Sequence, residues 1–355
     1  MSGCDHMKTI AMYLPQYHCI PENDRRIYKG FTEWDLVKKA QSLFDGHYQP
    51  RIPLGANYYN LLNLETFKWQ SALAKQYGID AFCFYHYYFD HQSVVMDRPL
   101  KLLLDNKEIA INYCFCWANE SWGKNGNKWT NQFNAFGSGG EEIIQKYGSK
   151  IDWELHYQYM RKFFIDYRYL KINDKPIFVI YKPEDIKDLS LMTALWNKLA
   201  IKDGFSGVYF IGINIWEKLE GLNAVLYHAP NCGYYLKNNN LEVKNGVLLK
   251  DYKKVWENIL SLSSVSDCKT YFGGFIDFDN TPRYGNSHSL CMKGTSPDIF
   301  SYYYEQLLLK NIMHSNELIW INAWNEWGEG NYLEPDEKNK YVFLENISCI
   351  NKKYI

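Results

Sequence analysis

Ile319-Trp320-Ile321-Asn322-Ala323-Trp324-Asn325-Glu326-Trp327-Gly328-Glu329-Gly330 begins as an apolar run and ends in two carboxylates three positions apart, among tryptophans and glycines. A short apolar run bounded by turn residues reads as a strand buried on both faces, the kind a parallel sheet is built from. Two carboxylates at the end of such a strand are a candidate acid/base pair, and indoles offer sugar rings a flat apolar face. The stretch therefore points to chemistry at a glycosidic bond.

Seven similar runs precede it. The expected strands are Thr9–Leu14, Ile79–Tyr85, Ile109–Trp117, Pro176–Tyr181, Gly207–Ile213, Ala224–His228, Thr270–Ile276 and Leu318–Ala323. Helical patterns fall between them at Leu64–Tyr77, Arg98–Asn106, Trp153–Tyr169, Ile186–Asp203, Tyr252–Ser261 and Asp298–His314, and a last helix is expected after Pro335. Between strands five and six, Ile215–Glu220 has room for one helical turn. Eight strands with intervening helices predict a (β/α)8 TIM barrel with long βα loops, a single domain over residues 7–355. A doubly wound sheet is the alternative, but no GxGxxG follows the first strand. Residues 1–6 read as a leader ahead of a natural start at Met7.

The 355 residues are 46% hydrophobic with a net charge of -1, so no basic stripe argues for nucleic acid. The 30 Tyr, 19 Phe and 12 Trp are more rings than one groove can use, so both core packing and a ring-lined carbohydrate groove are expected. The nine cysteines form neither a CxxC pair nor a regular framework, and they read as free thiols of a reducing compartment. Cys114 and Cys116 are expected on opposite faces of one strand. No apolar run reaches membrane-span length and no signal-peptide core opens the chain, which points to the cytoplasm.

Polar and aromatic residues gather just after the strands, at the face where barrels place their sites. Glu326 and Glu329 are the candidate catalytic pair, by their position more than by a spacing that is common on helices. The candidate substrate-binding residues are Gln16, Tyr17 and His18 after strand one, Tyr85 and His86 after strand two, and Trp117, Asn119, Glu120 and Trp122 after strand three. Asp279 and Arg283 follow strand seven, and Asn325 and Trp327 flank the glutamates. Glu120 reads equally as an acid, a sugar-hydroxyl acceptor or a loop anchor. Glu33 and Trp34 read equally as site residues or as a helix start capped by Thr32. Arg283 suits a ligand anion or a structural salt bridge. Gln16, His86, Glu120, Asp279, Glu326 and Glu329 are expected to surround one cavity. His18, His86 and His228 follow strands, but without HExxH or HxH spacing no metal is expected. No cofactor is expected either.

Six motifs carry a resemblance in chain order: Tyr13-Leu14-Pro15-Gln16-Tyr17-His18, Gly30-Phe31-Thr32-Glu33-Trp34, Gly46-His47-Tyr48-Gln49-Pro50, Trp117-Ala118-Asn119-Glu120-Ser121-Trp122, Asp279-Asn280-Thr281-Pro282-Arg283 and Asn325-Glu326-Trp327-Gly328-Glu329-Gly330. From about Thr9 to Glu345 the chain resembles the WbsX-type proteins of bacterial surface-polysaccharide loci. These are often labelled glycosyltransferases, and they are similar in turn to family 99 glycoside hydrolases, the endo-α-mannosidases and mannanases. That second resemblance implies a retaining mechanism in which Glu326 deprotonates the sugar 2-hydroxyl and a 1,2-anhydro sugar forms. It also implies that Glu329 protonates the leaving group and then activates water. Gly328 stands where that family typically has His. The resemblance further implies an oligosaccharide or lipid-linked glycan as partner, and a bacterial cytoplasmic setting with peripheral association at the inner membrane. Transfer to a sugar hydroxyl, as in O-antigen or capsular polysaccharide biosynthesis, and non-catalytic glycan binding remain the alternatives. Sugar, linkage, donor and oligomeric state are open.

Overall fold

The computed structural model describes residues 7–123, 142–234, 242–287 and 289–354. Residues 1–6, expected as a leader, and the centre of the long loop after the third strand lie outside the described residues.

Eight strands close on themselves: β1 (Lys8–Tyr13), β2 (Ala81–Asp90), β3 (Asn112–Trp117), β4 (Lys175–Ile180), β5 (Tyr209–Ile213), β6 (Ala224–Tyr227), β7 (Lys269–Phe275) and β8 (Leu318–Asn322). Each pairs in parallel with the next, and β1 pairs with both β8 and β2, so the sheet is a closed barrel without edges. Helices α1 (Leu64–Gln76), α2 (Arg98–Asp105), α3 (Lys150–Phe164), α4 (Leu189–Lys202), α5 (Tyr252–Ser261), α6 (Pro297–Met313) and α7 (Val342–Tyr354) wrap the outside. The result is a single-domain (β/α)8 barrel. Strands sandwiched between helices and barrel interior have no solvent face, which is why they read as unbroken apolar runs. Asn63, Asp251 and Ser296 cap α1, α5 and α6 with side-chain oxygens, and Ser149 forms a capping box with Asp152 at α3.

Three expectations need correction, and one element is new. Strand two does not end at Tyr85; β2 runs on to Asp90 and folds back against a short strand, Ser93–Val95. Residues 215–220 form bends and turns, not a helical turn. Cys114 and Cys116 share one face, because side chains alternate along a strand and residues two apart point the same way. A small three-stranded sheet, Glu242–Lys244, Val247–Asp251 and Leu290–Lys293, was not anticipated; it stands in the loops after β6 and β7. Among the described residues, no helix is long and apolar enough to cross a membrane.

Candidate active site

At the C-terminal ends of the strands lies a cavity of about 250 Å³. Glu326 and Glu329 line it together with Glu120, Trp122, Tyr85 and Arg283. The chain leaves β8, forms a short antiparallel pair of Asn325–Glu326 with Asn331–Tyr332, and turns tightly between them through Trp327–Glu329. The turn closes at Gly330 in the left-handed region, φ 60°. A side chain there would be strained, and its Cβ would also press on the Arg51 guanidinium.

Arg283 is the centre of the site. Its Nε donates to Glu33 Oε1 at 2.6 Å, its Nη1 to Glu329 Oε1 at 2.5 Å and its Nη2 to Glu326 Oε2 at 2.9 Å. The guanidinium and Glu33 are almost wholly buried, Glu326 is buried, and the Glu329 side chain keeps 27% exposure. If all three carboxylates were ionised, one positive charge would face three negative ones out of water. Such a cluster relieves its repulsion by keeping a proton. Burial, followed by the charges of Glu329 and Glu33, outweighs Arg283 and pushes Glu326 up to about 8. Glu329 is raised too, again chiefly by burial. Two macroscopic ionisations of this kind belong to the pair rather than to either residue.

Around the pair, the Tyr85 hydroxyl lies 3.2 Å from His228 Nε2. Burial lowers His228 to about 4, so its ring is neutral near pH 7. Glu120 pairs with Lys182 at 2.7 Å on the rim. Tyr87, Tyr181, His228, Asn231 and Asn280 also line the cavity and were not among the expected site residues, although His228 had been weighed as a metal ligand. Tyr181 and His228 follow β4 and β6 directly, so the strand-end signal that marked the others applied to them as well.

Several expected residues stand behind the cavity instead. Asn325 bonds the N–H and C=O of Leu14 and so ties the end of β8 to the end of β1. Tyr17 donates to Asn325 O and accepts from the N–H of Trp327. Trp34 donates to Tyr59 O and packs on Trp327, whose indole N–H reaches Glu334. Asn119 is a loop anchor, bonding both the N–H and the C=O of Lys182. Gln16 and His18 are fully buried and do not line the cavity. His86 and Trp117, which are register partners, face outward against α3, where His86 meets His156 at 3.0 Å. The continued alternation of β2 is the reason: Tyr85 and Tyr87 point in, so His86 and Tyr88 point out.

Asp279 is likewise a hub and does not line the cavity that holds Glu326 and Glu329. Its carboxylate accepts from His47, Gln49 and Thr281, while its N–H donates to Glu329 O. Burial alone would raise its pKa; the His47 hydrogen bond and the Arg51 charge outweigh burial and hold it below the ordinary value. His47, Asp279 and Cys291 are, among the described residues, a group close enough to be tested as metal ligands. They fit a metal poorly. His47 Nδ1 accepts the N–H of Leu43, so the ring proton sits on Nε2 and is donated to Asp279, leaving no lone pair for a cation.

A family model described as "Glycosyltransferase WbsX" matches residues 9–347. An uncharacterized protein, WxcX, from Xanthomonas campestris pv. campestris is 28% identical over 349 residues, which are 95% of this chain and 48% of that protein. The chain thus spans about half the length of the curated relatives it matches. Among solved structures, a GH99 endo-alpha-mannosidase from Bacteroides thetaiotaomicron superposes with a TM-score of 0.61 at 15% identity, over 98% of this chain and 97% of that one. A "glycoside hydrolase-like protein" gives 0.61 at 11% identity, over 98% and 94%. At such identities the likeness is one of fold.

Proposed function

The chain belongs to the glycosyltransferase WbsX family, and from that premise we propose that it acts on glycosidic bonds of bacterial surface glycans, with Glu326 and Glu329 as its catalytic pair. The observation that carries this reading is the Arg283 guanidinium shared by Glu33, Glu326 and Glu329 at the open end of the barrel. Glycosidic chemistry needs one carboxyl group that carries a proton and one that does not. A buried cluster with more carboxylates than cations supplies that asymmetry at neutral pH. The substrate is an oligosaccharide or a lipid-linked glycan.

In the first step, following the family 99 type of chemistry, the 2-hydroxyl oxygen attacks C1 while Glu326 takes its proton. The bond from C1 to the leaving oxygen breaks, and Glu329 protonates that oxygen. Glu329, now ionised, then takes a proton from the acceptor as the acceptor oxygen attacks C1. The 1,2-anhydro ring opens and Glu326 returns its proton to O2. Water as acceptor gives hydrolysis, and a sugar hydroxyl gives transfer. Arg283 holds both carboxylates in place, and Tyr85, Trp122 and Glu120 present rings and an acceptor to the sugar.

A second reading exchanges the roles. Glu326 is more deeply buried than Glu329 and is pushed up to about 8, which favours Glu326 as the proton donor and Glu329 as the base. The test of the function itself is incubation with a glycan panel, with and without sugar-nucleotide donors, followed by mass spectrometry. Cleaved or extended glycans without a nucleotide donor are expected. Products that require a sugar nucleotide and Mn²⁺ or Mg²⁺ would overturn the mechanism. Glycan retained unaltered, at measurable affinity, would make the chain a binding protein.

A further inference from the structure

Position 328 lies between the two glutamates, and the site has no room for a side chain there. A Cβ on Gly328 would run into the Glu33 carboxylate and come within 2.9 Å of Arg283 Nε. Neither neighbour is placed to step aside. Glu33 is fully buried and Arg283 is 7% exposed. Glu33 opens the short helix Glu33–Lys39, whose start is pinned by a capping box between Thr32 and Asp35. The space that a side chain at 328 would occupy is therefore taken by a third carboxylate.

That carboxylate has a definite geometric effect. A guanidinium is a rigid planar fork. With Nε held by Glu33, Nη1 and Nη2 have fixed directions, and these are the two atoms that hold Glu329 and Glu326. Glu33 also changes the charge count. Arg283 with Glu326 and Glu329 alone would carry a net charge of -1 when both are ionised, and with Glu33 it would carry -2.

We propose that Glu33 is a positioning residue for this chemistry: acting through Arg283, it fixes the separation of Glu326 and Glu329 and obliges the pair to keep one proton, an arrangement that only glycine at position 328 allows. The proposal rests on Glu326 and Glu329 being the catalytic pair. Among the described residues, the other charged groups facing the cluster are Glu120 and Lys182, which pair with each other. Tyr17, Tyr85, Tyr87, Tyr181 and Tyr284 also face it, all raised above the ordinary tyrosine value by burial, together with the neutral His228. The Lys182 charge is matched by Glu120, and the others bring no positive charge near neutral pH, so Glu33 is the group whose removal changes the balance.

The test is carboxyl-¹³C glutamate NMR titration of the wild type, Glu33→Gln and Glu33→Asp, with signals assigned from Glu326→Gln and Glu329→Gln. In Glu33→Gln the upper ionisation of the pair should fall by about one pH unit or more, because a like charge is lost. The basic limb of kcat/KM should move down with it on any glycan the wild type turns over. Glu33→Asp keeps the charge and should restore most of the wild-type value. If Glu33→Gln does not fold, Glu33→Ala carries the test, since it removes the same charge in a smaller side chain and should lower the same ionisation. An unmoved ionisation in a folded variant overturns the proposal. A shifted ionisation in a protein that turns over no glycan would sink the catalytic reading while leaving the effect of Glu33 in place.

Discussion

Replacing Glu326 with Gln should flatten the pH dependence of folding stability. Burial, ahead of the neighbouring charges, moves Glu326 from 4.5 to about 8 in the folded protein. In the unfolded chain it ionises near the ordinary value. Between those two points the folded state binds more protons than the unfolded state, so stability falls as pH rises through the window and is lowest above about 8. At about 1.4 kcal/mol per pH unit, the interval from pH 5 to pH 8 corresponds to about 4 kcal/mol, an upper figure because Glu326 and Glu329 titrate together. The Glu326 side chain is only 8% exposed, so solvent screening removes little of it. Gln in its place cannot take up the proton. Urea denaturation at pH 5 and pH 8 should show the wild type losing about 2–4 kcal/mol more than Glu326→Gln over that interval. Other buried groups cancel in the difference. His18, His86 and His228, lowered by burial to about 4, 3 and 4, favour stability at higher pH, whereas Glu334, raised to about 7, opposes it. Equal losses in the two proteins would refute the charge argument for the cluster.

Asn325→Ala should destabilise the fold by about 2–4 kcal/mol in denaturation, because it strands the buried N–H and C=O of Leu14. Prolonged chelation should leave activity and Tm unchanged, since His47 has no lone pair for a metal; a loss restored by Zn²⁺ would contradict that assignment. With a thiol reagent under native conditions, Cys19 and Cys349 should react first among the cysteines of the described residues. Cys83, Cys116 and Cys232, buried and with their thiols pushed up by burial, should react only on unfolding; fast native labelling of Cys116 would contradict their placement.

The barrel was legible because each strand is buried on both faces and so stands out as an apolar run, and because helical patterns fall between the runs. The failures have the same physical origin. Phe84-Tyr85-His86-Tyr87-Tyr88-Phe89 is aromatic throughout, so nothing in it shows where β2 ends. Placing that end at Tyr85 turned His86, which faces α3, into a site residue and passed over Tyr87. Position after a strand picked out Glu326, Glu329, Glu120, Trp122, Tyr85 and Arg283, which line one cavity, but it does not tell the inside of a pocket from its back. Asn119, Asn325 and Asp279 have the same sequence signal, and their side chains spend their hydrogen bonds locking loops. The motif Gly46-His47-Tyr48-Gln49-Pro50 shows its use only in three dimensions, where His47 and Gln49 both reach Asp279. The bond from Arg283 to Glu33 spans 250 positions, and no local pattern announces it.

The central claim, that Glu326 and Glu329 are the catalytic pair, is tested most directly by measuring kcat/KM of the wild type, Glu326→Gln and Glu329→Gln on one glycoside with its natural leaving group and one with an activated aryl leaving group. General acid catalysis contributes ~10²–10⁴-fold, and an aryl leaving group needs little of it. The account predicts that Glu329→Gln loses activity of that order on the natural glycoside and much less on the aryl glycoside, while Glu326→Gln is impaired on both. The opposite pattern would give the acid role to Glu326, as its deeper burial favours. Wild-type rates in either variant on the natural glycoside would contradict the claim.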